Sequence, residues 1–241
     1  MIRSLIKREE KHSTLTIDIH SHLIPGIDDG PKDMEKSLTI LKEMEELGYK
    51  KMIITPHIIS DLYPNNHESI EKGLEVLRSA AKEAGLNIEL EAAAEYYLDD
   101  AFLHYLKQDN IMTVADKYLL CETSLLVKPL QFDEMIFQAE IAGFKVILAH
   151  PERYTYITDW EREYQELKEK GILFQVNINS FAGYYGKDAQ KKALYLSEAG
   201  MIDFLGSDLH RFKETQLLKK VLDTGLIQKI AENNKILNHT L

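Results

Sequence analysis

The sequence predicts a single-domain α/β barrel built from seven parallel strands and their crossover helices. Short apolar runs rich in β-branched residues alternate with longer amphipathic stretches, the pattern of strands joined by helical crossovers. No Pro/Gly-rich linker or low-complexity tract interrupts that alternation along the 241 residues. Histidines and carboxylates recur at the downstream ends of the apolar runs, and a parallel barrel gathers those ends on one rim.

Taken in order, strands are expected near Leu15 to His20, Lys51 to Pro56, Ile88 to Glu95, Tyr118 to Glu122, Lys145 to Ala149, Ile172 to Asn177 and Phe204 to Asp208. The first crossover, "PKDMEKSLTILKEMEELG", carries Met34, Leu38, Leu41 and Met44 on one face, with Pro31 at its start and Gly48 at its end. The second, "NHESIEKGLEVLRSAAKEAG", ends on Gly85 in the same way. Later helices are expected over Phe132 to Gly143, Asp159 to Gly171, Asp188 to Gly200 and Lys213 to Ala231. The charge-interrupted stretch 1–14, "MIRSLIKREEKHST", reads as an extension before a barrel domain spanning 15–241, and has neither a secretory signal's apolar core nor a membrane span.

Composition narrows the function. A formal net charge of -10 opposes a general grip on nucleic acid, which rests on many Lys and Arg contacts to phosphate. The one cysteine, Cys121, rules out an internal disulfide framework and points to a reducing, cytoplasmic setting. It also does not fit a thiol phosphatase loop of the form C-x5-R, because Val127 stands six residues on, and "YLLCETS" reads as strand. Composition expresses no preference for an oligomeric state.

Each strand end delivers candidate ligands. The first, "DIHSHLIPGIDDG", supplies His20 and His22 and then Asp28 and Asp29. "MIITPH" ends at His57, the third strand at Glu95, the fourth at Glu122, "VILAHPERY" passes through His150, and "FLGSDLHR" gives Asp208 and His210. With Asp28 shaping the turn before Pro31, the set is His20, His22, Asp29, His57, Glu95, Glu122, His150, Asp208 and His210. Mixed imidazole and carboxylate donors suit Mn, Fe or Zn, and so many donors suit two or three ions sharing bridging carboxylates. His12, His67, His104 and His239 fall outside the strand ends. Arg153, just past His150, can form a surface ion pair with Glu152 or Glu161 or bind phosphate, and the bidentate match of guanidinium to phosphoryl oxygens favours phosphate. Two aromatic groups, "FAGYYG" (181–186) and Tyr96 with Tyr97, are expected beside the mouth.

The ordered motifs "HSH", "TPH", "HPERY" and "GSDLH" resemble the PHP (polymerase and histidinol phosphatase) family, and "HSHLIPGIDDGP" with "AHPERY" resembles its capsule-associated tyrosine phosphatases of the CpsB/CapC type. That resemblance implies a distorted seven-stranded β/α barrel of the PHP fold with a trinuclear site. It implies His20, His22, Glu95 and Asp208 around one ion, Glu95, Glu122 and His150 around a second, and Asp29, His57 and His210 around a third. Manganese is the first choice of metal, iron or zinc the alternatives. The activity implied is hydrolysis of phosphotyrosine by a metal-activated hydroxide, with Arg153 on the phosphate and His210 able to protonate the leaving group. The implied partner is a phosphotyrosine-bearing protein, the tail of a bacterial tyrosine kinase in capsule or exopolysaccharide synthesis. The alternatives are a small-molecule phosphomonoesterase, such as histidinol phosphate phosphatase, and a non-catalytic interaction module of the same fold. The stretch "RFKETQ" after His210 has no clear counterpart of a second phosphate-binding arginine.

Overall fold

The computed structural model describes residues 15–107 and 111–241. The 1–14 extension and His12 lie outside the described residues. The chain runs β1(Ile17–Asp18), α1(Met34–Glu46), β2(Lys51–Ile54), β3(His57–Ile58), α2(His67–Glu83), β4(Glu89–Ala92), β5(Glu95–Tyr97), α3(Phe102–Tyr105) and β6(Tyr118–Glu122). It continues through α4(Phe132–Ile141), β7(Lys145–Ala149), α5(Trp160–Glu169), β8(Leu173–Asn177), α6(Lys187–Glu198), β9(Phe204–Gly206), α7(Phe212–Asp223) and α8(Leu226–Asn233).

Every strand pairing is parallel, in the sheets β1-β2-β4 and β3-β5-β6-β7-β8-β9. Backbone bonds from Asp208 N to His20 O (2.8 Å) and from His22 N to Leu209 O (3.0 Å) close the ends into a ring. The result is a distorted seven-stranded parallel barrel in which two strands are each broken in the middle. One break falls at Thr55 and Pro56, where proline has no N–H for the ladder. Past it, His57 starts β3 directly beside Glu95 of β5.

The helices follow their end signals. Asp33 caps α1 by accepting from Lys36 N, and Asn66 forms a capping box with Ser69 at the start of α2. The buried stripe of α1 is Ser37, Ile40, Leu41 and Met44, and the expected Met34 and Leu38 pack against the same core while partly buried. Two expectations need correction. The segment 213–231 is two helices rather than one, broken at Gly225, which takes φ +72°. The first strand is also much shorter than 15–20, because its later residues bond across to Leu209 and Asp208 instead of continuing a regular ladder.

Inward positions repeat every second residue. Ile19, Ile53, Ala93, Tyr118, Leu120, Ile147, Ala149 and Phe204 pack together as the barrel's inner core. The intervening residues, among them Leu119, Cys121, Leu148, Phe174, Val176 and Leu205, pack in the larger core beneath the helices.

Candidate metal centre

The same alternation carries polar side chains to the carboxyl-end rim. On β6 the inward series Tyr118, Leu120 continues to Glu122, on β8 Leu173 continues to Gln175 and Asn177, and past β9 Phe204 and Gly206 lead to Asp208. Gly206 is required there, since a Cβ would lie 2.6 Å from Gln175 Nε2 and 2.9 Å from His20 Cβ. His150 and Asp208 each adopt a left-handed backbone, φ +35° and +52°, which turns the chain sharply at the rim. Non-glycine residues in that region store strain that surrounding contacts must hold, and such residues cluster at functional sites.

The structure brings all nine candidate ligands to this one rim. His20 Nε2 and His22 Nε2 lie 3.1 Å apart, and each is 3.3–3.5 Å from both Glu95 Oε2 and Asp208 Oδ1. Four ligands at ~2.1 Å from one cation would sit roughly 3.4 Å from each other, so this spacing fits a shared ion. A second group joins Glu95 Oε1 to His150 Nε2 (3.2 Å) and His150 Nε2 to Glu122 Oε2 (3.6 Å). The third gathers Asp29 Oδ1 with His210 Nε2 at 3.1 Å and His57 Nε2 at 3.4 Å. His57 spans two groups, because its Nδ1 is 3.0 Å from both Glu95 Oε2 and Glu122 Oε1.

Two observations fit this donor set to cations. Both oxygens of Glu95, with Nδ1 of His57 and of His150, are buried without a hydrogen-bond partner, a costly state for polar atoms unless something else satisfies them. The tautomers are also arranged for ligation. His20 Nδ1 donates to Gln175 Oε1 (2.7 Å), His22 Nδ1 to Asp28 Oδ2 (2.8 Å) and His210 Nδ1 to the Asp208 carbonyl (3.0 Å). Each Nε2 lone pair is thereby turned to the cluster, the outer-shell arrangement typical of metal-binding histidines.

Electrostatics agree. Burial presses the His20 imidazolium down, but Glu95 and Asp208 outweigh it and its pKa rises. His57 rises strongly against its own burial, chiefly through Glu95 and Asp29. Burial raises Glu95 and Asp208, yet the surrounding histidines hold both well below the usual carboxylate range. The cluster therefore draws positive charge into a buried place.

Several residues that support the site carry no sequence motif. Asp208 Oδ2 accepts from Arg153 Nη1 (2.8 Å), Asn177 Nδ2 (2.7 Å) and Tyr185 OH (3.3 Å), and Gln175 Nε2 donates to Asn177 Oδ1 (2.8 Å). β8 thus aligns its neighbours without contributing a candidate ligand. Asp28, read from sequence as a turn residue, also accepts from Gly30 N and orients His22. The Arg153 guanidinium stacks 4.3 Å from the Tyr185 ring centroid and lines an open cavity of about 360 Å³ over the donors. Arg211, in the stretch without a recognisable arginine motif, lines it too. Tyr184 and Tyr185 lie at the mouth as expected. Tyr96 does not: it is buried, with its hydroxyl accepting from Met112 N, because the residue after inward Glu95 faces the helices. Cys121 is buried on that same outer side, and burial pushes its thiol well above the usual value.

A profile described as "Capsular polysaccharide synthesis, CpsB/CapC" matches residues 16–234. The chain belongs to the CpsB/CapC family. Among its relatives, the tyrosine-protein phosphatase YwqE of Bacillus subtilis is 27% identical over 92% of this chain and 91% of its own. The tyrosine-protein phosphatase CpsB of Streptococcus pneumoniae is 30% identical over 80% of this chain and 82% of its own. A crystal structure from a study of YwqE and CpsB, described as unique metal-dependent tyrosine phosphatases, superposes with a TM-score of 0.78 at 25% identity, covering 91% of this chain and 96% of that one. Among the described residues, no helix is long and apolar enough to cross a membrane.

Proposed function

We propose that this CpsB/CapC protein is a metal-dependent protein tyrosine phosphatase acting in capsule or exopolysaccharide synthesis, in the cytoplasm, on a phosphotyrosine-bearing protein such as the tail of a bacterial tyrosine kinase. The observation that carries the reading is the buried Glu95 carboxylate, without a hydrogen-bond donor, among four histidines of three separate strand ends. We assign His20, His22, Glu95 and Asp208 to one ion, Glu95, Glu122 and His150 to a second, and Asp29, His57 and His210 to a third, with manganese preferred over iron or zinc.

Divalent ions in such a set lower the pKa of water and neutralise charge on a phosphoryl group. The chain's own groups do the rest. Arg153 commits one N–H to Asp208 and keeps its remaining donors for the equatorial phosphate oxygens, held flat by Tyr185. Asp208 is in turn fixed by Asn177, so phosphate binding and ion binding share one rigid carboxylate. His210, whose Nδ1 is held by the Asp208 carbonyl, is better suited to ligation than to giving up a proton. A tyrosinate, with its parent phenol near pKa ~10, leaves without a strong acid.

The test is turnover by the manganese-loaded chain of a phosphotyrosyl peptide against histidinol phosphate. Peptide turnover that vanishes with a chelator and returns with manganese is the expected result. Faster turnover of histidinol phosphate would favour a small-molecule enzyme, and turnover unaffected by chelation would overturn the metal mechanism.

A further inference from the structure

The cavity over the donors has two unlike sides. One is polar, with Arg153 and Arg211 among the histidines and the carboxylates of Asp29, Glu122, Asp208 and Glu214; the other is an apolar lip formed by Ile59, Leu62 and Tyr63 of a single short loop, together with Leu125. An ordinary surface loop is free to move, but this one is tied down. Ile59 and Tyr63 exchange backbone bonds in both directions, 3.0 and 2.9 Å, and Leu62 N donates to Ile59 O at 3.2 Å. Ser60 gives both its N–H and its hydroxyl to Asp99 Oδ2, at 3.1 and 2.7 Å. Asn65 Nδ2 then bridges the carbonyls of His57 and Ile27, both at 2.9 Å, fastening the loop to the strand end that bears His57 and to the turn that bears Asp29.

The loop is also registered on the site itself. The Tyr63 ring lies parallel to the His57 imidazole, interplanar angle 12° and centroids 5.6 Å apart. At its tip Leu62 stays 63% exposed. A single exposed leucine is commonplace, but one fixed by this many tethers at the edge of an ion-binding cavity is preorganised apolar surface, able to gain burial from a ligand without paying to order the loop.

We infer that the Ile59–Tyr63 loop and Leu125 form an aryl wall that takes the phenyl ring of the substrate, making Leu62 a determinant of selectivity for aryl over alkyl phosphate esters. The inference rests on the phosphatase reading for its substrate class. It follows from continuity within one cavity: Arg153 and Arg211 line the same space as the lip, so a phosphoryl group held by those arginines has this apolar surface within the same cavity for its organic substituent. A phenyl ring there buries against leucine, isoleucine and tyrosine, whereas the short polar side chain of phosphoserine leaves that surface wet. Discrimination by apolar contact of this kind is worth roughly 10- to 200-fold.

The test uses the full chain loaded with manganese and compares wild type with Leu62→Ser, Leu62→Met and, as a control, Leu130→Ser on a fully exposed position that does not line the cavity. The expected result is that Leu62→Ser lowers the ratio of kcat/KM for a phosphotyrosyl peptide to that for phosphoserine by about ten-fold, mainly through KM. Leu62→Met should restore most of the ratio and Leu130→Ser should leave it unchanged. An unaltered ratio in Leu62→Ser overturns the proposal. Calorimetric binding of phenylphosphonate and methylphosphonate separates the wall from turnover. Tighter binding of phenylphosphonate that weakens in Leu62→Ser supports the wall even if no phosphate ester is hydrolysed, an outcome that would sink the phosphatase reading alone. Equal affinity of wild type for the two phosphonates overturns the wall even if phosphotyrosine is turned over.

Discussion

The interior of the barrel holds two layers of opposite character, stacked one above the other along the same strands. In the lower layer Leu120, Ile147 and Phe204 pack apolar against apolar; in the upper layer, on or just beyond those strands, His150 meets Glu122 at 3.6 Å and Asp208 is ringed by His20, His22 and His210. The first gains from burial and the second is penalised by it. One layer holds the barrel shut and the other, in the function proposed above, would hold ions, so they should fail in different ways when altered.

The largest effect is expected at Glu95, which touches His20, His22, His57 and His150. Glu95→Gln keeps the shape but removes the charge that makes the cluster attractive to cations. Loss of bound manganese, read by metal analysis, and of phosphatase activity by more than about 10³-fold is expected, with far-ultraviolet circular dichroism unchanged. Ile147→Ala, two residues from the rim, should do the converse: a stability loss of about 2–5 kcal/mol in denaturant unfolding, with turnover per folded molecule largely kept. If Ile147→Ala abolished metal binding while remaining folded, the two layers would not be separable.

Next in size is the amide pair on β8. Gln175→Ala frees the His20 imidazole to rotate and breaks the chain that runs through Asn177 to Asp208. Manganese affinity should fall about 10- to 100-fold, the usual scale for removing a hydrogen-bond partner of a ligand. Unchanged affinity would mean that the first ion position is held by its ligands alone.

β8 also marks the limit of what the sequence discloses. The ligand candidates were legible because imidazoles and carboxylates are uncommon at the ends of apolar runs, and a parallel barrel dictates that such ends meet. Gln175 and Asn177 gave no comparable signal, since amides occur anywhere and their role exists only once β8 lies between His150 and Asp208. Tyr96 was misplaced for a related reason: adjacency to Glu95 in sequence means opposite faces in a strand. Gly225 sits inside a stretch whose apolar pattern runs on both sides of it, so 213–231 reads as one helix and the break shows only in the structure. Arg211 lacked a motif altogether, and only the turn after Asp208 brings it over the cavity.

A smaller, pH-dependent difference separates the layers further, because the clustered carboxylates and imidazoles lie in the upper one. Glu95 and Asp208 have folded pKa values below their unfolded ones, so their contribution to stability is present above the ordinary carboxylate range and is lost as pH falls through the lowered values. His20 and His57 are raised, so theirs is complete below about 6.5 and is lost as pH rises through the raised values. The metal-free protein should therefore melt highest in weakly acidic to neutral buffer and lower in alkali. Manganese displaces those protons, so the gain in Tm on loading should be greater at about pH 8 than at about pH 6. An equal gain at both values would show that protons and ions do not compete for these histidines.

The smallest effect is expected where the two sides of one strand meet. Cys121 and Glu122 are neighbours on β6, yet Glu122 reaches His57 and His150 at the rim while Cys121 is sealed under the helices beside Leu119 and Leu148. A buried thiol whose pKa is raised by desolvation is neither a nucleophile nor a ligand here. Cys121→Ser should leave kcat/KM on a phosphotyrosyl peptide within about two-fold, and its cost should appear only as about 1–3 kcal/mol of stability from enclosing a hydroxyl in an apolar site. A complete loss of turnover in a folded, manganese-loaded Cys121→Ser protein would move the chemistry to the wrong face of the sheet. A single-residue step along β6 would then no longer divide structure from reactivity.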